Sequence, residues 1–242
     1  MGGQVDRRAD AAATGALAGR AAAPGARAGT TDAPDGRAAV PAERAGAAAS
    51  GASRRAAGIV LAAGAGRRFG GGVKQLAPLR GRPLLQHAVD AMLAATGVER
   101  VVVVLGHAAG EVRGALTLGA AEVVLAPDWA NGQSASLKRG VAAIGDADAA
   151  VVTLGDQPLI TARAIDAALA RLDGGCDAVR SIYGGVPGHP VVLGRAVLDA
   201  VPSLSGDAGA RQLLARFRVR SWDASAFGDA ADVDTREQLA AL

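Results

Sequence analysis

Gly58-Ile59-Val60-Leu61-Ala62-Ala63-Gly64-Ala65-Gly66-Arg67-Arg68-Phe69-Gly70-Gly71-Gly72-Val73-Lys74-Gln75-Leu76 passes from a short apolar run into a glycine-rich loop. The run reads as a buried strand. Pro83 and a helical pattern over 84–95 follow the loop. Strand, glycine loop and helix together let backbone N–H groups and a helix N-terminus hold phosphate oxygens. Glycine allows positive φ and close backbone approach, and Arg68 and Lys74 bring positive charge beside the anion. The stretch therefore predicts a nucleoside triphosphate site.

Two other phosphate loops fit less well. A P-loop needs Ser or Thr directly after its lysine, and Gln75 follows Lys74. A dinucleotide loop needs a third glycine where Phe69 stands, and an acidic residue for the ribose where the next strand ends in Gly106-His107. The bland alternative is a flexible surface loop. Lysine usage argues against it. Of 26 Lys plus Arg, only Lys74 and Lys138 are lysine. A compact, flexible ammonium suits a polyphosphate better than a planar guanidinium does.

The 242 residues allow one sizeable α/β domain or two small ones. Residues 1–57 are Ala, Gly and Arg with scattered Pro, and their larger apolar residues are Met1, Val5, Leu17 and Val40. Four such residues cannot offset the entropy of ordering, so this extension is expected to be disordered and the folded domain to span 58–242. A misassigned upstream start codon accounts for such a stretch as well as a functional tail does. The extension holds eight Arg against five acidic residues, whereas residues 58–242 hold 18 basic and 18 acidic ones, so the net charge of +3 comes from the extension. Nothing in the domain calls for nucleic acid. Asp10 and Arg20 interrupt the best candidate for a signal peptide, and no apolar run approaches the roughly 20 residues of a membrane span. A lone Cys176 offers neither an internal disulfide nor a zinc site, and a cytoplasmic protein is expected.

Beyond the first loop, strands are expected over 100–105, 122–125, 149–154 and 178–182, with helices between them. The strands are β-branched and continuously apolar, the pattern of a mostly parallel sheet covered by helices on both faces. Ligands in such folds bind beyond the carboxyl ends of the strands. Asp156, one step past the strand 149–154, is a costly place for an unpaired charge, which a divalent cation would satisfy; a turn or capping aspartate is the alternative. Asn131-Gly132 reads as a turn, and Gln133, Ser134 and Ser136 open a helix, with hydroxyls and an amide that serve either as caps or as ligands. His189, between Gly188 and Pro190, either hydrogen-bonds a substrate or braces its loop. Asp207 reads as a cap and Arg211 as a solvated charge at the start of a helix over 212–217.

Taken together, these segments resemble the nucleotidyltransferases that build the molybdenum cofactor, the MobA-like NTP transferases. Their signature L-A-A-G-x-G-x-R-x-G-(x)n-K-x-L is matched by Leu61-Ala62-Ala63-Gly64-Ala65-Gly66-Arg67-Arg68 and, further on, Lys74-Gln75-Leu76. Ala62-Ala63-Gly64 is similar to the cytidylyltransferase variant, where guanylyltransferases usually carry A-G-G. The later motifs follow in the family's order: Gly132-Gln133-Ser134-Ala135-Ser136-Leu137-Lys138, Gly155-Asp156-Gln157-Pro158, Gly188-His189-Pro190, Gly206-Asp207-Ala208-Gly209-Ala210-Arg211 and Asp232-Val233-Asp234-Thr235. Arg236 departs from the family pattern, which has proline there.

The resemblance implies a three-layer, Rossmann-like nucleotidyltransferase (GT-A-like) fold and a reaction between CTP, or alternatively GTP, and a phosphorylated pterin. It assigns nucleotide binding to Leu61, Ala62, Ala63, Gly64, Gly66, Arg68, Lys74, Gln133, Ser134 and Ser136. Catalysis falls to Lys74, Arg68 and Asp156. Mg²⁺ would sit on Asp156 and Asp234, with Asp232 in reserve, and only one of that pair is expected to face the site. His189, Asp207 and Arg211 become contacts to the acceptor. A recipient molybdoenzyme is an implied partner. A non-catalytic accessory protein would not need Lys74 and Asp156, and Gly188-His189-Pro190 weighs against a sugar or polyol nucleotidyltransferase.

Overall fold

A computed structural model of the chain describes residues 54–204 and 210–242. Strand β1 (Ala56–Ala62) leads through the glycine loop and a small antiparallel hairpin, β2 (Pro78–Leu79) and β3 (Arg82–Pro83), into α1 (Leu84–Leu93). Next come β4 (Arg100–Leu105), α2 (Ala109–Ala115), β5 (Glu122–Leu125), α3 (Gln133–Ala143), β6 (Ala149–Leu154) and α4 (Ala162–Leu169). The chain continues through β7 (Ala178–Tyr183), β8 (Val186–Gly194), α5 (Arg195–Ala200), α6 (Ala210–Leu214) and β9 (Val219–Asp223), and ends in α7 (Arg236–Ala240). One seven-stranded sheet runs in the order β5-β4-β1-β6-β8-β7-β9. Its strands pair in parallel except at β8, which is antiparallel to both β6 and β7.

The two faces of β1 show how the sheet is covered. Ala56, Val60 and Ala62 pack with Leu85, Val89 and Met92 of α1, Val112 of α2 and Ile165 of α4. The alternate residues Ala57, Ile59 and Leu61 pack with Leu137 of α3, Val197 and Leu198 of α5, and Leu213 and Leu214 of α6. Successive strand side chains point to opposite faces, so a continuously apolar strand is what a doubly covered sheet requires. Ile59, Val60, Val102 and Val103 are fully buried. The antiparallel turn at β8 comes from Gly184 and Gly185, whose φ of 55° and 86° close a tight hairpin after β7.

The domain begins earlier than the composition suggested. Ala56 and Ala57, placed in the extension by the sequence reading, open β1 and are buried. Alanine is abundant on both sides of the boundary, so these two carry no signal of their own. Arg55, just before them, pairs with Asp146 at 2.9 Å. Residues 1–53, and with them the expected disorder of the extension, lie outside the described residues. The helix expected over 212–217 is α6 (Ala210–Leu214), which starts two residues earlier and ends three earlier. No helix among the described residues is long and apolar enough to cross a membrane.

Gly155 carries β6 into the site. Its N–H donates to Leu61 O at 2.9 Å, and a Cβ there would lie 2.6 Å from Leu85 Cδ1 and 2.8 Å from Ala62 Cβ. The β1–β6 pair can therefore close only over a glycine. Gly155→Ala should cost about 1–3 kcal/mol through overpacking, read as a lower urea midpoint with unchanged m-value.

Candidate active site

The glycine loop is held from beneath. Gln75 Nε2 donates to Ala62 O at 3.0 Å and to Gly64 O at 2.7 Å, and Gln75 is buried. Phe69 is also buried, in a small cluster with Leu79, Leu84 and Val233. Gly66 (φ 59°) ends the strand side of the turn, and a Cβ on it would come within 2.8 Å of Lys74 Cβ. The stem of Lys74 thus runs across the space that Gly66 leaves open. Arg236 closes the loop from outside, its guanidinium 5.1 Å from the centre of the Phe69 ring and donating to Gly71 O at 2.9 Å. The backbone at Arg236 needs no proline, because Thr235 and Gln238 form a reciprocal cap on α7.

Across the loop lies the end of β6. Lys74 Nζ sits 2.6 Å from Asp156 Oδ2 and 3.3 Å from Asp234 Oδ1, while Arg68 reaches Asp234 Oδ2 at 2.9 Å. The Lys74 side chain is only 9% exposed against 77% for Arg68. The ammonium therefore meets the carboxylates almost out of water. Val233 N–H donates to Asp156 O at 2.9 Å, and the buried Val233 side chain pins the C-terminal segment to this spot.

Here one expectation needs correction. Asp232 and Asp234 are two apart on an extended segment, so they share a face while Val233 takes the other. Both carboxyls come to the Asp156 side: Asp234 meets Lys74 and Arg68, and Asp232 accepts from Gln157 Nε2 at 2.7 Å. Burial, and next the charge of Asp156, holds Asp232 above the usual carboxylate range.

Asp156 is the shared wall of two hollows. One, of about 380 Å³, is bounded by Leu61, Ala63, Arg67, Trp129, Gln133 and Ser136. The other, of about 80 Å³, lies over Gly66, Lys74 and Gln75. Gln133 and Ser136 open α3 after Gly132, and Ser134 beside them is buried. Trp129 stands edge-on to His107 with centroids 5.5 Å apart, and Gly106 leaves it room, since a Cβ there would fall 2.7 Å from the indole. The large hollow sets Leu61, Ala63 and Trp129 against the polar Gln133 and Ser136, and the small one holds the stem of Lys74 beside Asp156.

A divalent cation fits the donor set. Asp156 Oδ1 is buried without a hydrogen-bond partner, an expensive state for a carboxylate oxygen. Among the described residues no three His, Cys, Asp or Glu side chains form a closed cage. One or two carboxylates completed by phosphate oxygens is the arrangement that Mg²⁺-type cations commonly accept.

Residues 58–222 match the profile of the MobA-like NTP transferase domain. The chain belongs to this family. Among relatives of this MobA-like NTP transferase, the protein named nicotine blue oxidoreductase from Paenarthrobacter nicotinovorans is 36% identical over 197 residues, covering 75% of this chain and 93% of that protein. Rv0371c of Mycobacterium tuberculosis H37Rv superposes with a TM-score of 0.68 at 28% identity, over 78% of this chain and 98% of its own. A manganese complex of Rv0371c gives 0.64. The nucleotidyl transferase Mth528 of Methanothermobacter gives 0.65 at 26% identity, over 77% of this chain and 95% of its own. The seven-stranded, mostly parallel sheet of this MobA-like NTP transferase is thus that of a Rossmann-like nucleotidyltransferase.

Of the residues singled out in the sequence, Leu61, Ala63, Gly64, Gln133 and Ser136 line the larger hollow. Ala62, Gly66 and Lys74 line the smaller one. Asp207 lies outside the described residues, and Arg211 falls in α6. His189 stands on β8, the strand beside β6, with a buried and unpartnered Nδ1. Gln75, Arg67 and Trp129 were not anticipated. Gln75→Ala should leave two loop carbonyls without their donor, lowering stability by about 1–3 kcal/mol and raising the KM for nucleotide more than it lowers kcat.

Burial pushes the His189 imidazole down to about 4, with Asp156 pulling the other way. An unfolded histidine titrates near ~6.5. Between those values the unfolded chain binds more protons than the folded one, so stability present above pH ~6.5 is lost as the pH falls towards 4. The loss is on the order of 3 kcal/mol for this one group. A His189→Asn variant should show a flatter Tm over that window than the parent.

Proposed function

We propose that the chain transfers CMP from CTP to the phosphate of a molybdopterin-type acceptor and releases pyrophosphate. What supports the reading most is the meeting of Lys74 and Arg68 with Asp156 and Asp234, Asp156 bordering both hollows. Cytidine would lie in the larger hollow, its ring against Trp129 and its edge read by Gln133 and Ser136. The triphosphate would run over Gly64 and Gly66 towards Lys74. Asp156 and Asp234 would hold a divalent cation, Mg²⁺ by preference, which when bound would neutralise charge on the α-phosphate and on the departing pyrophosphate. His189, on β8 beside β6, would contact the acceptor, a role the family resemblance also proposes for Asp207 and Arg211.

A phosphate oxygen of the acceptor attacks the α-phosphorus as the bond from that phosphorus to the bridging oxygen breaks, and the electron pair leaves with pyrophosphate. Lys74 and Arg68 stabilise the oxygens on which negative charge grows, and the rigid loop keeps them in place before the reaction begins. No general base is required, because the acceptor phosphate is already ionised. His189 is neutral at physiological pH and donates or accepts one hydrogen bond without competing for the metal's charge.

Calorimetry with CTP and GTP, each with Mg²⁺, tests this. Preference for CTP is the expected result, and transfer to molybdopterin then tests the acceptor. Preference for GTP would redirect the proposal to a guanylyltransferase, and binding of neither would leave an accessory role. Because the 36% identical relative is named an oxidoreductase, and hydride transfer commonly uses a nicotinamide dinucleotide, such a dinucleotide is a fourth arm. Against it, β4 lies beside β1 and leads into Gly106-His107 with no acidic residue for a ribose.

A further inference from the structure

The ammonium of Lys74 lies between the very oxygens a divalent cation would use, Asp156 Oδ2 at 2.6 Å and Asp234 Oδ1 at 3.3 Å. It has little freedom to be elsewhere. Its stem is pressed across Gly66, the next residue is latched by the two Gln75 hydrogen bonds, and the side chain is 9% exposed. Lys74 and Arg68 already occupy oxygens of Asp156 and Asp234, while Asp232 beside them is taken up by Gln157 Nε2. A divalent cation arriving alone must displace a buried ammonium from the carboxylate oxygens that already hold it. A triphosphate in the smaller hollow supplies another anion, a short swing of the terminal bonds away.

We propose that Lys74 is the resident counter-ion of the Asp156–Asp234 pair, and that it makes divalent-cation binding conditional on the triphosphate. The proposal rests on the nucleotidyltransferase reading and adds to it an order of assembly. The loop admits the metal with its nucleotide, and Lys74 passes from carboxylates to phosphate as it enters. Coupling of this kind is reciprocal, so metal and nucleotide each tighten the other.

The test uses Mn²⁺ alone, without nucleotide, followed by electron paramagnetic resonance on the full chain and on Lys74→Met. The variant should bind Mn²⁺ at least about ten-fold more tightly than the parent, a difference of ~1.4 kcal/mol. Equal or weaker binding by the variant would overturn the proposal. Should Lys74→Met fail to fold, the parent protein decides the matter. The chain has two lysines, so ¹³C-lysine labelling gives two side-chain signals, with Lys138 as the internal reference. Millimolar Mg²⁺ alone should leave the Lys74 signal in place, and its displacement by Mg²⁺ alone would equally overturn the proposal. Neither measurement contains nucleotide, so failure here is distinct from failure of CTP and GTP to bind.

Discussion

Asp156→Asn is expected to lower kcat by about 10³-fold, the magnitude lost when one strong electrostatic stabiliser of a transition state is removed. The residue sits where β6 ends, its backbone fixed by Gly155 on one side and by the Val233 N–H on the other. The side-chain change should therefore leave the fold in place. The asparagine keeps the volume and loses the charge. Lys74 retains Asp234 as a partner, so the stability cost should remain well below the several kcal/mol of an orphaned buried charge. Two readouts separate this from a general loss of structure. The urea midpoint should shift modestly, and affinity for metal-free CTP should hold or improve as a negative charge disappears. Affinity for CTP in the presence of Mn²⁺ or Mg²⁺ should fall. A variant with near-parental kcat would remove Asp156 from the chemistry altogether.

Much of this arrangement is legible in the chain, for reasons that differ by element. The runs at β1, β4 and β6 are too apolar to lie anywhere but between two layers of helix, and the boundaries of β4 and β6 follow from charge and glycine at their ends. Gly66 and Asp156 stand out because glycine clusters and a carboxylate at a strand end are unusual on energetic grounds. Gln75 carries no such mark. A neutral amide next to a lysine looks like ordinary loop polarity, and its role depends on carbonyls 11 and 13 residues away. Trp129 is an isolated aromatic in the sequence, and its place at the rim of a hollow depends on Gly106 and His107. Ala56 and Ala57 disappear into an alanine-rich background. Asp232 and Asp234 were misjudged for a simpler reason, since their spacing of two puts them on one face, and only the intervening Val233 turns away.

Lys74→Met carries the second large effect, and its two consequences have opposite sign. Without nucleotide the variant should take up Mn²⁺ more readily, because Asp156 and Asp234 lose the ammonium between them. With nucleotide it should turn over about 10²–10³-fold more slowly, because the buried ammonium that lines the smaller hollow no longer meets the phosphate oxygens. Lys74→Arg should rescue little of this. The planar fork is wider than an ammonium and always forms a directional pair, and the stem is already in contact with the space above Gly66. Arg68 cannot substitute either, being 77% exposed and turned to the other oxygen of Asp234. Tighter metal binding together with slower turnover is the decisive pattern. If Lys74 only neutralised the carboxylates, its removal would tighten metal and leave turnover intact. If it only gripped phosphate, its removal would slow turnover and leave the metal affinity of the empty protein unchanged. Only a lysine that serves both partners in succession moves the two measurements together, in opposite directions.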